Sequence, residues 1–341
     1  MNTTRQYGRS RRSAGSKLGL VCVACVLALL PAACHTKRQV KIAVIPRTEG
    51  VALWDAGHSG AELAASRTGI FVHWTAPMRE DDVESQIELV ESVVSSGYQG
   101  LVLAPDQALS LITPVRRVLA RGIPTVIIGS PMPIPAGGDL FYVLNDDVEG
   151  GRMAARRVAG LLNGHGTVAM LGINPDVTGI MIRARSFEEY LAQHDPGIQI
   201  VDRRLGTFDS SHEQQVAQDT LRSNPDLDLV VAFMWSSVEG TEQVLDTTHP
   251  NRSIKIVGFD SSGIPILGQN AGVDSIIQTD TRSICQHAVE LIHAKLQGQS
   301  PPGTLYVQPK LITHENVNTP EIQTLLSSDF KLGQWQWSTI Q

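Results

Sequence analysis

The residues best suited to holding a small molecule fall directly after short apolar runs. The run 41–45 is followed by Pro46-Arg47-Thr48-Glu49-Gly50 and then Leu53-Trp54, and the run 125–128 by Gly129-Ser130. Further along come Arg183, Phe208-Asp209, Met234-Trp235-Ser236-Ser237, Gly258-Phe259-Asp260-Ser261 and Gln278. In open α/β sheets ligands sit beyond the carboxyl ends of the strands, so these positions belong to one kind of place. Aromatic faces accept C–H surfaces, while Arg, Asp and Gln hydrogen-bond hydroxyls with defined geometry. The mixture suits a polar ligand with a flat apolar face. Each residue also has a plainer reading: Trp54 as core packing, Arg183 beside Arg185 as a solvated helix face, Gln278 as a partner for hinge backbone groups, and Phe259 as core support. Asp260 is the best placed, since it directly follows an apolar strand.

Catalytic and cofactor chemistry finds little support. The ten histidines show neither His-x-x-x-His nor His-Glu-x-x-His spacing, so no zinc or other metal site is expected. Gly57-His58-Ser59-Gly60 lacks the glycine spacing of a nucleophile elbow. No Gly-x-Gly-x-x-Gly or Walker loop follows a strand, so no nucleotide cofactor is expected either. The expectation is a binding protein and not an enzyme.

The elements that must position these residues are written twice. Apolar runs rich in β-branched residues lie at 41–45, 70–74, 100–103 and 125–128, and again at 167–171, 198–201, 229–233 and 254–257. Successive starts are about 30, 30 and 25 residues apart in both halves, the length of a βαβ unit. Amphipathic stretches fill the gaps, and that alternation predicts parallel sheets. Asp82 can cap a helix with Val83, Ile87, Val90 and Val94 on one face, stopped by Gly97. Leu53, Gly57, Gly60, Ala61 and Ala64 form a small-residue stripe suited to close packing. A further helix over about 282–296 follows a strand-like 275–278 late in the chain, so the two lobes are not simple consecutive blocks. The fold class is α/β, with two doubly wound parallel-sheet lobes.

The first 33 residues read as a secretion signal: Arg5, Arg9, Arg11, Arg12 and Lys17 without an acid, an apolar run 18–30, then Ala32-Ala33 before Cys34. The run is shorter than the roughly 18 to 20 residues that span a bilayer. The small pair before Cys34 resembles the bacterial lipobox, although Pro31 stands where leucine is usual. Lipidation at Cys34 and ordinary signal cleavage are the two outcomes, and the first is favoured. Ser10-Arg11-Arg12 is a short echo of a twin-arginine signal. Removing the signal takes five of the 28 Lys+Arg and none of the 34 Asp+Glu, so the net charge goes from −6 to −11. An acidic chain does not suit a nucleic-acid partner. Cys22 and Cys25 go with the signal and Cys34 to lipid, leaving Cys285 alone with no intramolecular disulfide.

At these residues the chain resembles the type I periplasmic sugar-binding proteins, the ribose- and galactose-binding group of ABC transporter subunits. The likeness runs over about 41–317 and rests on the order and spacing of loose motifs. These are Ile45-Pro46-Arg47-Thr48 with Leu53-Trp54 and Gly60-Ala61, the segments 100–105 and 146–151, Gly122-Ile123-Pro124, Arg183 four before Phe187, and Val257-Gly258-Phe259-Asp260. The resemblance implies that Trp54 and Phe208 sandwich the ligand while Arg183, Asp260 and Gln278 hydrogen-bond it. Ser130 and Trp235 complete the expected contacts. It also implies a three-crossing hinge, with lobes formed by 40–145 plus 279–307 and by 146–278 plus 308–318, and a tail of open role over 319–341. Two polar anchors of the family are missing, since Gly129 stands at a usual aspartate and Met234-Trp235 at a usual Asn or Asp. Trp235 is therefore expected to stack on the ligand, and a bulky residue at Gly129 to hinder closure. The function implied is an extracytoplasmic, lipid-anchored, monomeric receptor that passes a sugar or polyol to an ABC permease. A receptor docking on a sensor kinase or chemoreceptor is the alternative. A lac-repressor-type regulator is largely set aside, because a signal occupies the place of its DNA-binding segment.

Overall fold

In the computed structural model the described residues are 1–4, 8, 39–248, 254–260 and 272–327. The signal segment and Cys34, apart from residues 1–4 and 8, lie outside them, as do Ser261, Trp335 and Trp337. Two six-stranded sheets organise the chain from Gln39 onward.

The first sheet contains β1 (Lys41–Ile45), β2 (Phe71–Trp74), β3 (Gly100–Leu103), β4 (Thr125–Gly129), β5 (Leu140–Asn145) and β11 (Thr304–Val307), in the order β11-β5-β4-β3-β1-β2. All its pairings are parallel. The second contains β6 (Gly166–Ile173), β7 (Ile198–Leu205), β8 (Leu229–Ala232), β9 (Lys255–Phe259), β10 (Val273–Gln278) and β12 (Lys310–Thr313), in the order β12-β10-β9-β8-β6-β7. Only β12 runs antiparallel there, because it enters directly from the end of β11 in the other sheet and lies back along β10. The central strands are buried along their whole length, as in β3 and β8. Continuous apolar runs are what a sheet covered on both faces demands.

Helices supply that cover. In the first lobe α1 (Ala52–Thr68) and α8 (Thr281–Leu296) lie on one face, and α2 (Val83–Ser95) and α3 (Ile112–Leu119) on the other. In the second, α4 (Asp147–Leu162) and α5 (Thr178–His194) oppose α6 (Ser210–Ser223) and α7 (Trp235–Thr248). A last helix, α9 (Pro320–Leu326), buries Ile322 and Leu325 against the second lobe, so the start of the tail packs. Cys285 is fully buried on α8, facing α1.

The chain passes between the sheets after Asn145, after Gln278 and between Val307 and Lys310. Both of the first two passages enter a capped helix. The Asp146 carboxylate accepts from the Glu149 N–H at 3.0 Å, and that of Asp280 from the Ser283 N–H at 2.9 Å. An aspartate at this position satisfies an amide the helix leaves free and opposes its dipole. Strand β5 escapes the repeat of apolar runs, because it follows β4 after an irregular connection over 130–139 with no intervening helix.

Gly151 on α4 sets the depth of the second lobe's helix pair. A Cβ there would collide with the Arg183 carbonyl and the Ser186 hydroxyl of α5. Gly151→Val is expected to force the helices apart and cost about 1–3 kcal/mol or more. Urea unfolding of the two proteins measures it, and equal midpoints would show that the helices are not so tightly registered.

Candidate functional site

The carboxyl ends of both sheets face one cavity. Trp54, Ser130, Arg183, Phe208, Trp235 and Asp260 all line it, each at or near a strand end or helix start. Gln278 does not: it is buried, its amide N–H reaches the Thr279 carbonyl at 3.4 Å, and its Oε1 has no partner. The cause is the strand pleat, which leaves the next residue, Thr279, to face the cavity.

Arg183 is the centre of the polar wall. It is 8% exposed. Its Nε donates to Asp147 Oδ1 at 2.5 Å, Nη1 to Asp260 Oδ2 at 3.0 Å, and Nη2 to Thr279 Oγ1 at 3.1 Å. The Phe259 ring lies under the guanidinium at 5.0 Å, a favourable cation–π placement. Burial opposes the guanidinium's charge, but the two carboxylates outweigh it and hold the group protonated. For Asp147 the balance is reversed. Burial raises its pKa more than Arg183 and Asn145 lower it. Asp260 sits in the left-handed region, φ 57°, and takes the Thr279 N–H on Oδ1 at 2.8 Å. That conformation, uncommon outside glycine and tolerated by aspartate, aims one carboxylate at both Arg183 and the second passage between lobes.

The apolar wall is aromatic. Phe233 and Phe259 stack at 5.3 Å, and Phe187 meets Phe233 edge-on at 5.8 Å. Phe259 is fully buried and acts as support beneath Arg183. On the first lobe, Trp54 donates its Nε1–H to Glu80 Oε1 at 3.2 Å.

The lobes meet across this cavity. Gly179 N–H donates to Ser130 Oγ at 2.7 Å, Phe208 N–H to Asp81 Oδ2 at 3.4 Å, and the Arg47 guanidinium lies 6.0 Å from the Phe208 ring. Ser130 Oγ therefore accepts from the opposite lobe, a bond that does not use its O–H. The cavity volume is about 50 Å³, far below the roughly 300 Å³ at which small-molecule pockets begin. A ligand of several hydroxyls enters only if the lobes part or the walls rearrange. Gly129 lines the cavity with φ 73° and nothing within 4 Å of a Cβ. The backbone there would be strained by any side chain, and a bulky one would project into the small cavity that closure leaves.

Glu80, Asp106 and Asp147 carry signals that sequence reasoning left unused. Glu80 and Asp81 stand in the charged run before the Asp82 cap, and Asp147 follows β5. Burial pushes the Glu80 carboxyl up to about 7, against the pull of Arg47. Asp106, 1% exposed with neither oxygen partnered, is pushed up to about 8, again mainly by burial. Among the described residues no group of acids, histidines and cysteines is arranged to hold a metal.

With this geometry the family can be stated. Residues 42–300 match the model of the periplasmic binding protein domain, and the chain belongs to that family. Its two parallel-sheet lobes are those of the type I sugar-binding group. The chain is 24% identical over 330 residues to the xylitol-binding protein of Mycolicibacterium smegmatis, covering 93% of this chain and 88% of that one. It is 24% identical over 230 residues to the D-apiose import binding protein of Paraburkholderia graminis, covering 67% and 68%. A solute-binding protein of an ABC transporter from Agrobacterium vitis, solved with α-D-tagatopyranose, superposes with a TM-score of 0.78 at 25% identity, over 84% of this chain and 99% of that one.

The raised carboxyls give stability a pH dependence with a definite sign. Well below their unfolded values of 3.8 for Asp106 and 4.5 for Glu80 they are protonated both folded and unfolded, and they cost nothing. As the pH rises the unfolded chain ionises first, so stability falls until the folded values of about 7 for Glu80 and about 8 for Asp106 are passed. Asp106→Asn is expected to raise Tm over the parent by a few °C (roughly 2–5) at pH 8.5, with little or no gain at pH 4. Calorimetry at the two pH values checks this, and the same shift at both would remove ionisation as the cause.

Proposed function

We propose that this protein is an extracytoplasmic receptor that encloses a sugar or sugar-like polyol between its lobes and presents the closed form to an ABC permease. The observation that carries the reading is the buried Arg183, bracketed by Asp147 and Asp260 in an aromatic-walled cavity between two lobes. Fixed donors and acceptors beside aromatic faces fit a molecule that is hydroxylated on its edges and apolar on its faces. The relatives and solved neighbours that bind sugars or polyols support the same class.

In this reading the lobes are 40–145 with 279–307 and 146–278 with 308–318, and they bend about a hinge near Asp146, Gln278 and Gln308. The Gln308 amide donates to Asp146 Oδ2 at 2.9 Å, linking two of these passages. Trp54, Phe208, Trp235, Arg183 and Asp260 contact the ligand. Contacts drawn from both lobes are made in full only on closure, and that differential affinity shifts the population. The protein acts as a monomer, binds without turnover, and is held at the outer face of the cytoplasmic membrane or in the periplasm by lipid on Cys34.

A thermal-shift panel of D-ribose, D-allose, D-tagatose, xylitol and D-arabinitol is expected to find a binder, which at about 100 times its Kd adds roughly 2.7 kcal/mol of stability. Small-angle scattering should then show a smaller radius of gyration with that binder, and Asp260→Ala should weaken it about tenfold or more. An unchanged radius would argue for a rigid pocket, and unchanged affinity would displace the site. Mass spectrometry of the membrane fraction is expected to find an acylated terminal Cys34. An unmodified, soluble mature form would remove the anchor and leave export standing.

A further inference from the structure

Two polar atoms in the cavity wall lack a hydrogen-bond partner: Oε2 of Glu80, from the first lobe, and the indole Nε1 of Trp235, from the second. Glu80 is half-buried as a residue, yet Oε2 is closed off from solvent. Its other oxygen is already engaged by Trp54 Nε1 at 3.2 Å, which fixes the plane of the carboxylate. The Trp235 indole N–H faces the Glu80 carboxyl group and lowers its pKa as a hydrogen-bond donor does, yet the two groups do not reach hydrogen-bond geometry with the lobes as they stand. Native proteins leave few such atoms unpaired, because each forfeits its hydration without return.

The two atoms are complementary in a particular way. Once Glu80 is ionised, above about pH 7, its oxygen only accepts while the indole N–H only donates, so one partner serves both only if it donates and accepts at once. An alcohol hydroxyl does this. A cation satisfies Glu80 alone, and a carbonyl or carboxylate satisfies Trp235 alone. Both residues line the cavity.

We propose that Glu80 and Trp235 together form an anchor for one ligand hydroxyl, donated to Glu80 Oε2 and accepting from Trp235 Nε1, which bridges the two lobes. The proposal rests on the reading of the cavity as a sugar or polyol site and specifies that site. It makes Glu80 and Trp235 specificity-determining residues, and it assigns Trp235 a polar role in addition to stacking. The hydroxyl is satisfied fully only when the lobes meet, so it links recognition at this end to closure.

The test uses the full mature chain and the tightest binder from the panel above, with its set of monodeoxy analogues. Calorimetry on the parent should show one deoxy position that costs about tenfold or more. Glu80→Gln keeps an oxygen for Trp54, and Trp235→Phe keeps the aromatic face while deleting the N–H. Glu80→Gln is expected to weaken the parent ligand about 10- to 100-fold and Trp235→Phe about 3- to 10-fold. Both should lose discrimination against that same deoxy analogue, and the double variant should lose less than the product of the two, since one hydroxyl serves both. If both variants bind within about twofold of the parent, or keep its full deoxy profile, the anchor is wrong and polyol binding stands. Retained discrimination with altered ligand-free compactness in scattering would instead identify the pair as a direct latch between lobes, and that too overturns the proposal. Failure of the whole panel to bind the parent would overturn the polyol reading and the anchor with it.

Discussion

A guanidinium lies buried between two carboxyl groups that are themselves buried. A buried ion loses several kcal/mol of hydration, which close and well-aligned hydrogen bonds must offset. Arg183 meets that requirement with three directed contacts and an aromatic ring beneath it. Its partners come from the start of α4, the end of β9 and the passage that follows β10. Two of those three points are where the chain moves between lobes. The binding wall and the connection between lobes are therefore one network, and a ligand that competes for Arg183 or Asp260 also acts on the segments that join the lobes.

The first lobe's rim carries the opposite problem. Glu80, Asp81 and Asp106 all have raised carboxyls, chiefly through burial, and Arg47 is the cation that lowers all three. Asp176 from the second lobe raises Asp81 further. Bringing the lobes together thus sets acid against acid, partly relieved by Arg47 over the Phe208 ring and by the Phe208 amide on Asp81. Repulsion of this kind works against the meeting of the lobes, and ligand contacts made on both sides work for it.

Much of this architecture could be read from the sequence, because a repeat of buried strands at constant spacing leaves few alternatives. The Asp82 cap and the small-residue face of α1 were local patterns with a physical cause, while the return of α8 to the first lobe was implied by the family resemblance. Strand β5 was not legible, since no helix separates it from β4 and the spacing rule skips it. Strands β11 and β12 are four residues each and half-exposed in part, so their apolar signal is weak. At the site, strand ends marked six of the seven candidate contacts as cavity residues, and Gln278 fell on the other side of the pleat. Glu80 and Asp147 were hidden for a different reason. Acids beside a helix start look like caps or solvated charges, and only the fold shows that Glu80 and Asp147, close to the caps Asp82 and Asp146, line the cavity instead.

Cys285 has a practical consequence. Its thiol is fully buried between α8 and α1, and burial, with Asp280 adding, pushes its pKa up to about 12. Only a thiolate attacks a disulfide reagent at a useful rate, so at neutral pH the folded protein is nearly inert to one. It is the sole cysteine among the described residues. Labelling it therefore requires α1 and α8 to part, and the rate at which Cys285 itself is modified clocks that event in one lobe alone. The protein carries its own reporter of sub-global opening, silent while the lobes merely swing and triggered when the first of them comes apart.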